Sequence, residues 1–114
     1  MSAEITKQTG EVLAHHSQAL GGGDLEGVLS DYTEESILFL QQGPVRGLAG
    51  IRAFFDAAIK NSPPGMMQAF QMVRMDVDGE VAFIVWKAEP FVKMGSDTFV
   101  IRSGKIAAQT FVAS

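Results

Sequence analysis

Residues 19–59 constrain the fold more than any other part of the chain. They begin at the end of an amphipathic segment, where Gly21, Gly22 and Gly23 favour helix termination, because a left-handed C-cap costs glycine little. Asp24 then supplies an N-cap for a second, short helix. An apolar strand, a Gly-Pro turn and a further amphipathic helix follow. Helices placed before a sheet in this way typically form a lid over a curved surface, which predicts a pocket.

Hydrophobic periodicity predicts three helices and one strand in the first half of the chain. Apolar side chains recur every three or four residues in the helices and run without interruption in the strand. A Gly-Pro turn at residues 41–44 separates the strand from the third helix. The predicted helices are residues 3–20, 25–32 and 47–61, and the predicted strand is 36–40.

The pattern changes to strands in the second half. Asp78-Gly79 and Ser103-Gly104 are two-residue hairpin signals. Residues 90–95 predict an irregular edge or loop, because Pro90 has no N–H to donate to a central ladder. The predicted strands are 66–77, 80–89, 96–102 and 105–113. Helices followed by an antiparallel meander predict an α+β fold in a single domain, residues 1–114.

Composition excludes several kinds of partner and chemistry. The net charge is −4, and the nine Lys and Arg residues form no basic run, which argues against nucleic acid or an anionic membrane as a partner. Cysteine is absent, so disulfides, thiolate catalysis and cysteine zinc sites are excluded. The longest apolar run, residues 81–86, is far shorter than the roughly 20 residues of a membrane helix. The first residues lack the features of a signal peptide, and we expect a cytoplasmic protein.

Both faces of the predicted strands are apolar. In the second of the long strands, Val81, Phe83 and Val85 point to one side, and Ala82, Ile84, Trp86 and Ala88 point to the other. An antiparallel sheet that met water on one face would alternate apolar with polar residues. Helices can cover one face, and a second copy of the chain can cover the other. The pattern therefore predicts a homodimer through the outer face of the sheet.

Several short motifs carry a resemblance to a known family. They are Gly23-Asp24-Leu25, Gly47 with Ile51-Arg52 and Phe55, and Asp97-Thr98-Phe99 before the Ser103-Gly104-Lys105 hairpin. On these residues the chain resembles the nuclear transport factor 2-like superfamily, and within it the SnoaL-like group of polyketide cyclase and ketosteroid isomerase relatives. The resemblance implies a cystatin-like cone, in which three N-terminal helices pack on a curved antiparallel sheet of four to six strands. It also implies an apolar cavity and a dimer.

Asp97 is the first candidate catalytic residue. It shares strand parity with Phe99 and Ile101, which predicts apolar surroundings. Ketosteroid isomerases carry a pocket aspartic acid on the equivalent strand, where an apolar site keeps the acid protonated so that it can donate to an oxyanion. Burial without a cation would likewise raise the pKa of Asp97. The alternative is a rim position, with Asp97 bonded to a loop.

His16 is the second candidate. It lies centrally on the apolar face of the first helix, where the isomerases place a catalytic tyrosine, so the resemblance implies that it donates to a ligand or holds Asp97. The alternative is a core histidine without catalytic duty. His15 points to the opposite side, and no Glu or His follows either residue by four positions, so no metal is expected. The reaction class that the resemblance implies needs no cofactor.

Leu40 departs from the isomerase pattern. The general base of that reaction is an acid on the strand after the second helix, and the corresponding position here is Leu40, within one residue of alignment. Leucine cannot accept a proton. We therefore do not expect steroid isomerisation by the usual mechanism, and Leu40 becomes a candidate for the cavity wall.

Three hypotheses on function follow. The first is an enzyme with cofactor-free acid/base chemistry of the isomerase, cyclase, lyase or hydratase type, and the second is a non-catalytic module that binds a small hydrophobic ligand. The third is a dimerisation domain whose cavity is filled by its own side chains. The missing base favours the second hypothesis. The predicted ligand-binding residues are Trp86, Phe99, Leu40, Phe55 and Phe111.

Overall fold

The computed structural model describes residues 2–114, which form four helices and six strands. The helices are α1 (Ser2–Gly21), α2 (Leu25–Leu29), α3 (Gly47–Lys60) and α4 (Met66–Ala69). The strands are β1 (Ile37–Leu40), β2 (Gly43–Arg46), β3 (Gln71–Asp78), β4 (Val81–Ala88), β5 (Val92–Arg102) and β6 (Lys105–Ala113).

The strands form one sheet in the order β2-β1-β6-β5-β4-β3. Neighbouring strands are antiparallel except β1 and β6, which run parallel. The hydroxyl of Ser36 donates to the carbonyl of Ile106 over 2.6 Å beside this parallel pair. Register shifts interrupt three of the antiparallel pairs, β3–β4, β4–β5 and β5–β6. Because such bulges bend a strand and increase its twist, they curve the sheet around the helices.

The predicted cap and stop signals form the junction between α1 and α2. Gly23 adopts a φ of +68° just after α1, in the left-handed region that favours glycine. A carboxylate oxygen of Asp24 accepts from the backbone N–H of Gly27 over 3.0 Å, which satisfies a free donor in the first turn of α2. This turn folds α2 back against α1 and positions α3 to close the side of the cone.

Alternate side chains of β4 and β5 identify the inner face of the sheet. Ile84 and Trp86 on β4 are buried, as are Asp97 and Phe99 on β5. Helix α1 lies against β3, β4 and β5, α4 lies against β4, and α3 lies against α2 and β2. The helices therefore cover this face. Burial there of Leu13 and other apolar side chains from both layers forms the core.

The predicted α+β fold, with helices packed on a curved sheet, is confirmed, but five details differ from the expectation. Helix α2 ends at Leu29, before the predicted residue 32. Residues 43–46 form an edge strand, so the predicted turn at 41–44 is reduced to residues 41–42, and an edge strand tolerates Pro44. Residues 66–69 form a fourth helix rather than a strand, because a short apolar run fits either structure. Strand β5 begins at Val92, before the predicted 96. The sheet is mixed rather than antiparallel throughout.

Within residues 2–114, no helix combines the length and apolar character needed to cross a bilayer. The cytoplasmic location and the single-domain organisation stay predictions.

Candidate ligand cavity

A cavity of about 240 Å³ lies between the helices and the inner face of β4, β5 and β6. Six aromatic residues line it: Phe54, Phe55, Phe70, Trp86, Phe99 and Phe111. The aliphatic lining is Leu20, Ala58, Met66, Met67, Ile84 and Ala88, with Gly21 beside Leu20, and the polar lining is His16, Ser17, Ser62, Asp97 and Gln109. Exposed members such as Ser17 and Ala58 mark the mouth, whereas Asp97 and Gln109 are buried at the floor.

Asp97 projects into the cavity from the middle of β5. Its register neighbours are Ile84 on β4 and Phe111 on β6, and both also line the cavity. The indole N–H of Trp86 donates to Oδ1 of Asp97 over 2.9 Å, and the amide nitrogen of Gln109 donates to Oδ2 over 2.8 Å. The rim position considered from the sequence is therefore wrong, because inward strand parity places Asp97 at the floor.

Gln109 extends this contact into a hydrogen-bonded chain. Its amide oxygen accepts a short hydrogen bond from the hydroxyl of Tyr32, while its amide nitrogen donates to Asp97. Tyr32 and Gln109 are buried. Because a buried polar group needs a partner, each of the three side chains fixes the orientation of the next. The carboxyl group of Asp97 is thus held by neutral donors from two neighbouring strands.

Burial dominates the protonation of Asp97 and Tyr32. Removal from water raises the pKa of Asp97, and the hydrogen bonds from Trp86 and Gln109 oppose this rise by stabilising the charged form. Burial also raises the pKa of Tyr32 well above its usual value, and the negative charges of Asp97 and Asp31 raise it further. Tyr32 therefore stays protonated and acts as a donor at neutral pH.

His16 lines the cavity but does not hold Asp97. Its ring lies among Tyr32, Phe55 and Phe99, with centroid distances of 5.9, 5.8 and 5.7 Å. Burial, with a smaller contribution from the neighbouring His15, lowers the pKa of His16 from 6.5 to about 4. Its Nδ1 atom is buried without a hydrogen-bond partner among residues 2–114. His16 is therefore a neutral imidazole. The hydrogen bonds to Asp97 expected from His16 come instead from Trp86 and Gln109.

Trp86 lies flat between other aromatic rings. Its ring stacks on Phe70 at 5.4 Å and on Phe111 at 6.3 Å. Gly95, its register partner on β5, permits this arrangement, because a Cβ atom at Gly95 would overlap the indole ring. The single tryptophan of the chain thus serves as both cavity wall and hydrogen-bond donor.

The structure brings together all but one of the predicted site residues. Asp97, His16 and the aromatic residues Trp86, Phe99, Phe55 and Phe111 line one cavity. The expected position of Leu40 in the wall is wrong: Leu40 packs half-buried against the core, outside the lining. The reason is its place in the sheet, since only β4, β5 and β6 contribute strand residues to the cavity and Leu40 lies on β1.

Three residues that the sequence does not single out complete the site. Gln109 and Tyr32 lie on different elements and meet only through the parallel pairing that brings β6 beside β1. From the sequence, Gly95 would be expected to interrupt a strand. In the structure it lies within β5 and leaves room for the indole ring of Trp86. The one usable signal is the parity of Gln109 with Phe111, which predicts a polar residue on an inward face.

A second cluster lies on the surface beside α1. His15 is exposed, as expected, and its Nδ1 atom lies 2.8 Å from a carboxylate oxygen of Asp31. Burial raises the pKa of Asp31, and the contact with His15 opposes the rise. Among residues 2–114, no group of three or more His, Asp or Glu side chains is arranged to hold a metal ion.

Several solved structures share the fold of this chain. A nuclear transport factor 2-like protein of unknown function from Mesorhizobium loti aligns with a TM-score of 0.79 and 17% identity, over 96% of this chain and 93% of that chain. A candidate polyketide cyclase from Sinorhizobium meliloti aligns with a TM-score of 0.74 and 16% identity, over 90% of this chain and 94% of that chain. A candidate ketosteroid isomerase from Kribbella flavida aligns with a TM-score of 0.71 and 16% identity, over 95% of this chain and 78% of that chain.

Sequence comparison identifies the family. No curated protein matches the chain significantly. The family model described as a SnoaL-like domain matches residues 12–109, which is most of the chain. The predicted resemblance is therefore confirmed, and the protein belongs to the SnoaL-like domain family.

Proposed function

We propose that this protein binds a small, largely apolar ligand in the cavity of the cone, with Asp97 as the polar contact at its floor. The observation that carries the proposal is the combination of a mostly apolar cavity, lined by six aromatic residues, with one buried carboxyl group. Ligand sites are typically apolar pockets with a few convergent polar groups. The volume of about 240 Å³ lies just below the roughly 300–1,000 Å³ of drug-sized pockets, which favours a small ligand.

The mouth of the cavity offers a direct test. Ala58 and Ala57 are adjacent exposed residues of α3, but only Ala58 lines the cavity. A phenylalanine at position 58 would narrow the entrance, whereas one at position 57 would point elsewhere. Binding of benzyl alcohol is measured through the indole N–H resonance of Trp86, the one tryptophan in the chain.

We expect a saturable shift of that resonance in the wild-type protein. Ala58→Phe should weaken binding at least about tenfold, and Ala57→Phe should leave it within about twofold. A wild-type protein without a saturable shift, or equal effects of the two substitutions, would contradict the proposed cavity function.

Proton transfer by Asp97 is the second candidate function. Burial raises the pKa of Asp97, as expected of a carboxyl group that exchanges protons with an apolar ligand. Solved structures named as a candidate cyclase and a candidate isomerase share the fold. Leu40 supplies no second acid on β1, so Asp97 would both remove and return the proton, without a cofactor.

Deuterium exchange at the α-carbon of cyclohexanone tests this chemistry. We expect the wild-type protein to accelerate exchange and Asp97→Asn to reduce the acceleration about 100-fold, the lower end of typical acid/base contributions. Equal rates for the two proteins would exclude Asp97 as the proton-transfer group while leaving ligand binding intact.

We also propose that two copies associate through the outer face of the sheet. Phe39, Val81 and Val112 are 43%, 47% and 49% exposed. The register places Phe39 with Phe83, and Val112 with Val85, on this one face. Exposed apolar patches of this kind typically mark an interaction surface, and the outer face is continuous across the central strands.

A further inference from the structure

Asp97 is a buried carboxyl group that forms no ion pair with the side chains of residues 2–114. None of the nine Lys and Arg side chains lines the cavity. Five of them form surface ion pairs: Arg52 with Glu26, Lys60 with Asp56, Arg74 with Asp76, Lys87 with Glu89 and Arg102 with Glu80. Because a buried charge is normally paired, the negative charge at the cavity floor lacks its usual compensation.

His16 cannot supply the missing charge. The pKa of about 4 keeps its imidazole neutral at pH 7, because burial disfavours the charged form and the neighbouring His15 repels it. Tyr32 is neutral as well, since its pKa is raised. The protein groups facing the cavity therefore leave the carboxylate uncompensated.

The direct contacts of Asp97 nevertheless suit its ionised form. The indole N–H of Trp86 can only donate, and the amide N–H of Gln109 donates to the other oxygen, so both oxygens act as acceptors. Each oxygen keeps a further lone pair for a ligand. Trp86 and Gln109 thus stabilise the ionised form of Asp97 by hydrogen bonds but add no positive charge to balance it.

The walls around this carboxylate also suit a positive charge. Aromatic residues line the cavity, and a ring face that stacking does not cover, unlike the faces of Trp86, carries partial negative charge that attracts cations. His16, which also lines the cavity, adds a neutral ring whose Nδ1 atom has no hydrogen-bond partner among residues 2–114, and a neutral imidazole carries one acceptor nitrogen. A positive group with several N–H donors would therefore find acceptors on two sides.

We propose that the ligand is a small lipophilic amine, bound as its ammonium ion, with Asp97 as its counter-ion. The inference rests on the proposed binding function and adds the chemical class of the ligand. The ammonium group lies at the cavity floor against Asp97 and His16, and the apolar body fills the aromatic part toward the mouth. An anionic ligand is excluded from this site by repulsion from the carboxylate.

Three probes of one shape and different charge test the inference. Benzylammonium, benzyl alcohol and benzoate are titrated separately at pH 7 into the wild-type protein, Asp97→Asn and Asp78→Asn. Asp78 is an exposed aspartate at the end of β3, outside the cavity, and controls for general attraction of cations to a chain of net charge −4.

In the wild-type protein, we expect benzylammonium to bind at least about tenfold more tightly than benzyl alcohol, and benzoate to bind most weakly. Asp97→Asn should abolish the preference for the cation, and Asp78→Asn should keep it. Retained binding of benzyl alcohol shows that Asp97→Asn preserves the folded cavity.

The outcomes separate this inference from the proposed function. If benzyl alcohol binds as tightly as benzylammonium, or benzoate binds best, the amine inference is wrong and cavity binding stands. If none of the three probes binds, both are wrong.

A second measurement uses only the wild-type protein. By linkage, a cation that binds beside Asp97 must lower the pKa of its carboxyl group, which the side-chain carboxyl ¹³C resonance reports directly. The other titratable groups facing Asp97 are His16 from α1 and Tyr32 after α2, whereas β4 and β6 present Trp86 and Gln109, which do not titrate in this range. We expect benzylammonium to lower this pKa and benzyl alcohol to leave it unchanged; an unchanged value with bound benzylammonium would overturn the inference.

Discussion

His16 is a histidine that the fold keeps neutral, and this has a measurable effect on stability. Its pKa falls from 6.5 to about 4 on folding, so the unfolded chain binds the proton more readily than the folded protein. The associated stability is fully present above pH 6.5 and is lost as the pH falls toward 4. A pKa lowered this far corresponds to about 3 kcal/mol in the free energy of unfolding, lost between neutral and acid pH.

His16→Phe should remove this pH dependence. The phenyl ring occupies the same place among Tyr32, Phe55 and Phe99, and the variant no longer buries an unpartnered Nδ1 atom. Urea unfolding at a series of pH values measures the difference in free energy of unfolding between wild type and variant. We expect the wild type to lose up to about 3 kcal/mol relative to the variant between pH 6.5 and 4.

His15→Phe is the matched control, because it changes the exposed neighbour and leaves His16 in place. It should keep most of the steep loss of stability in acid, because burial is the larger cause of the low pKa of His16 and His15 the smaller. A wild-type curve parallel to that of His16→Phe would show that His16 is not held neutral by its surroundings.

The packing of β5 against Trp86 depends on one glycine. Gly95 lies opposite Trp86, and any side chain there must displace the indole ring. Gly95→Ala should therefore reduce the free energy of unfolding by about 1–3 kcal/mol, as overpacking typically does. It should also shift the indole N–H resonance, because the displaced ring no longer reaches Asp97.

Gly10→Ala controls for the chemical change itself. Gly10 lies within α1, and a Cβ atom there would meet nothing within 4 Å. Since alanine is the better helix former, this variant should gain about 0.5–1 kcal/mol. A loss of stability in Gly10→Ala, or none in Gly95→Ala, would contradict this account of the two glycines.

The elements that the sequence predicts well are those whose signal is local. The glycine run, the Asp24 cap and the Ser103-Gly104 hairpin lie where expected, because each motif forms its own hydrogen bonds or turn; the first hairpin turn lies at residues 79–80, one residue after the predicted position. The misassigned segments have weaker local signals. Strand β2 pairs with β1 through a short hairpin at residues 41–42 that the Gly-Pro signal did not place, and residues 92–95 extend β5 because they pair with β4 and with the end of β6.

The candidate site divides in the same way. Helical spacing places His16 on the apolar face of α1, and strand parity places Asp97 beside Phe99, but parity leaves the rim position open; in the structure both residues line the cavity. Leu40 is misplaced because its prediction rests on correspondence to the general base of the isomerases, whereas the cavity here opens over β4, β5 and β6 and not over β1. The chain from Tyr32 through Gln109 to Asp97 joins three separate segments, so no short-range pattern encodes it.

For the whole molecule, the outer face of the sheet predicts the oligomeric state. Sedimentation velocity at micromolar concentration should give a dimer for the wild type, and Val112→Lys should shift the protein toward monomer, because a charge would be buried without a partner. Ile5→Lys, at an apolar residue of α1 that is 38% exposed, should leave the dimer intact. A monomeric wild type, or dissociation by Ile5→Lys alone, would contradict the proposed interface.

The parallel contact between β1 and β6 has a consequence for the order of folding. Ser36 bonds to Ile106 across 70 residues of sequence, and contacts of such separation slow folding because a long loop must close first. Gln109 and Phe111, which complete the cavity floor and wall, lie on that last strand. On the ribosome, helices and the central hairpin can form while the chain emerges, but the binding cavity closes only after β6 has been synthesised.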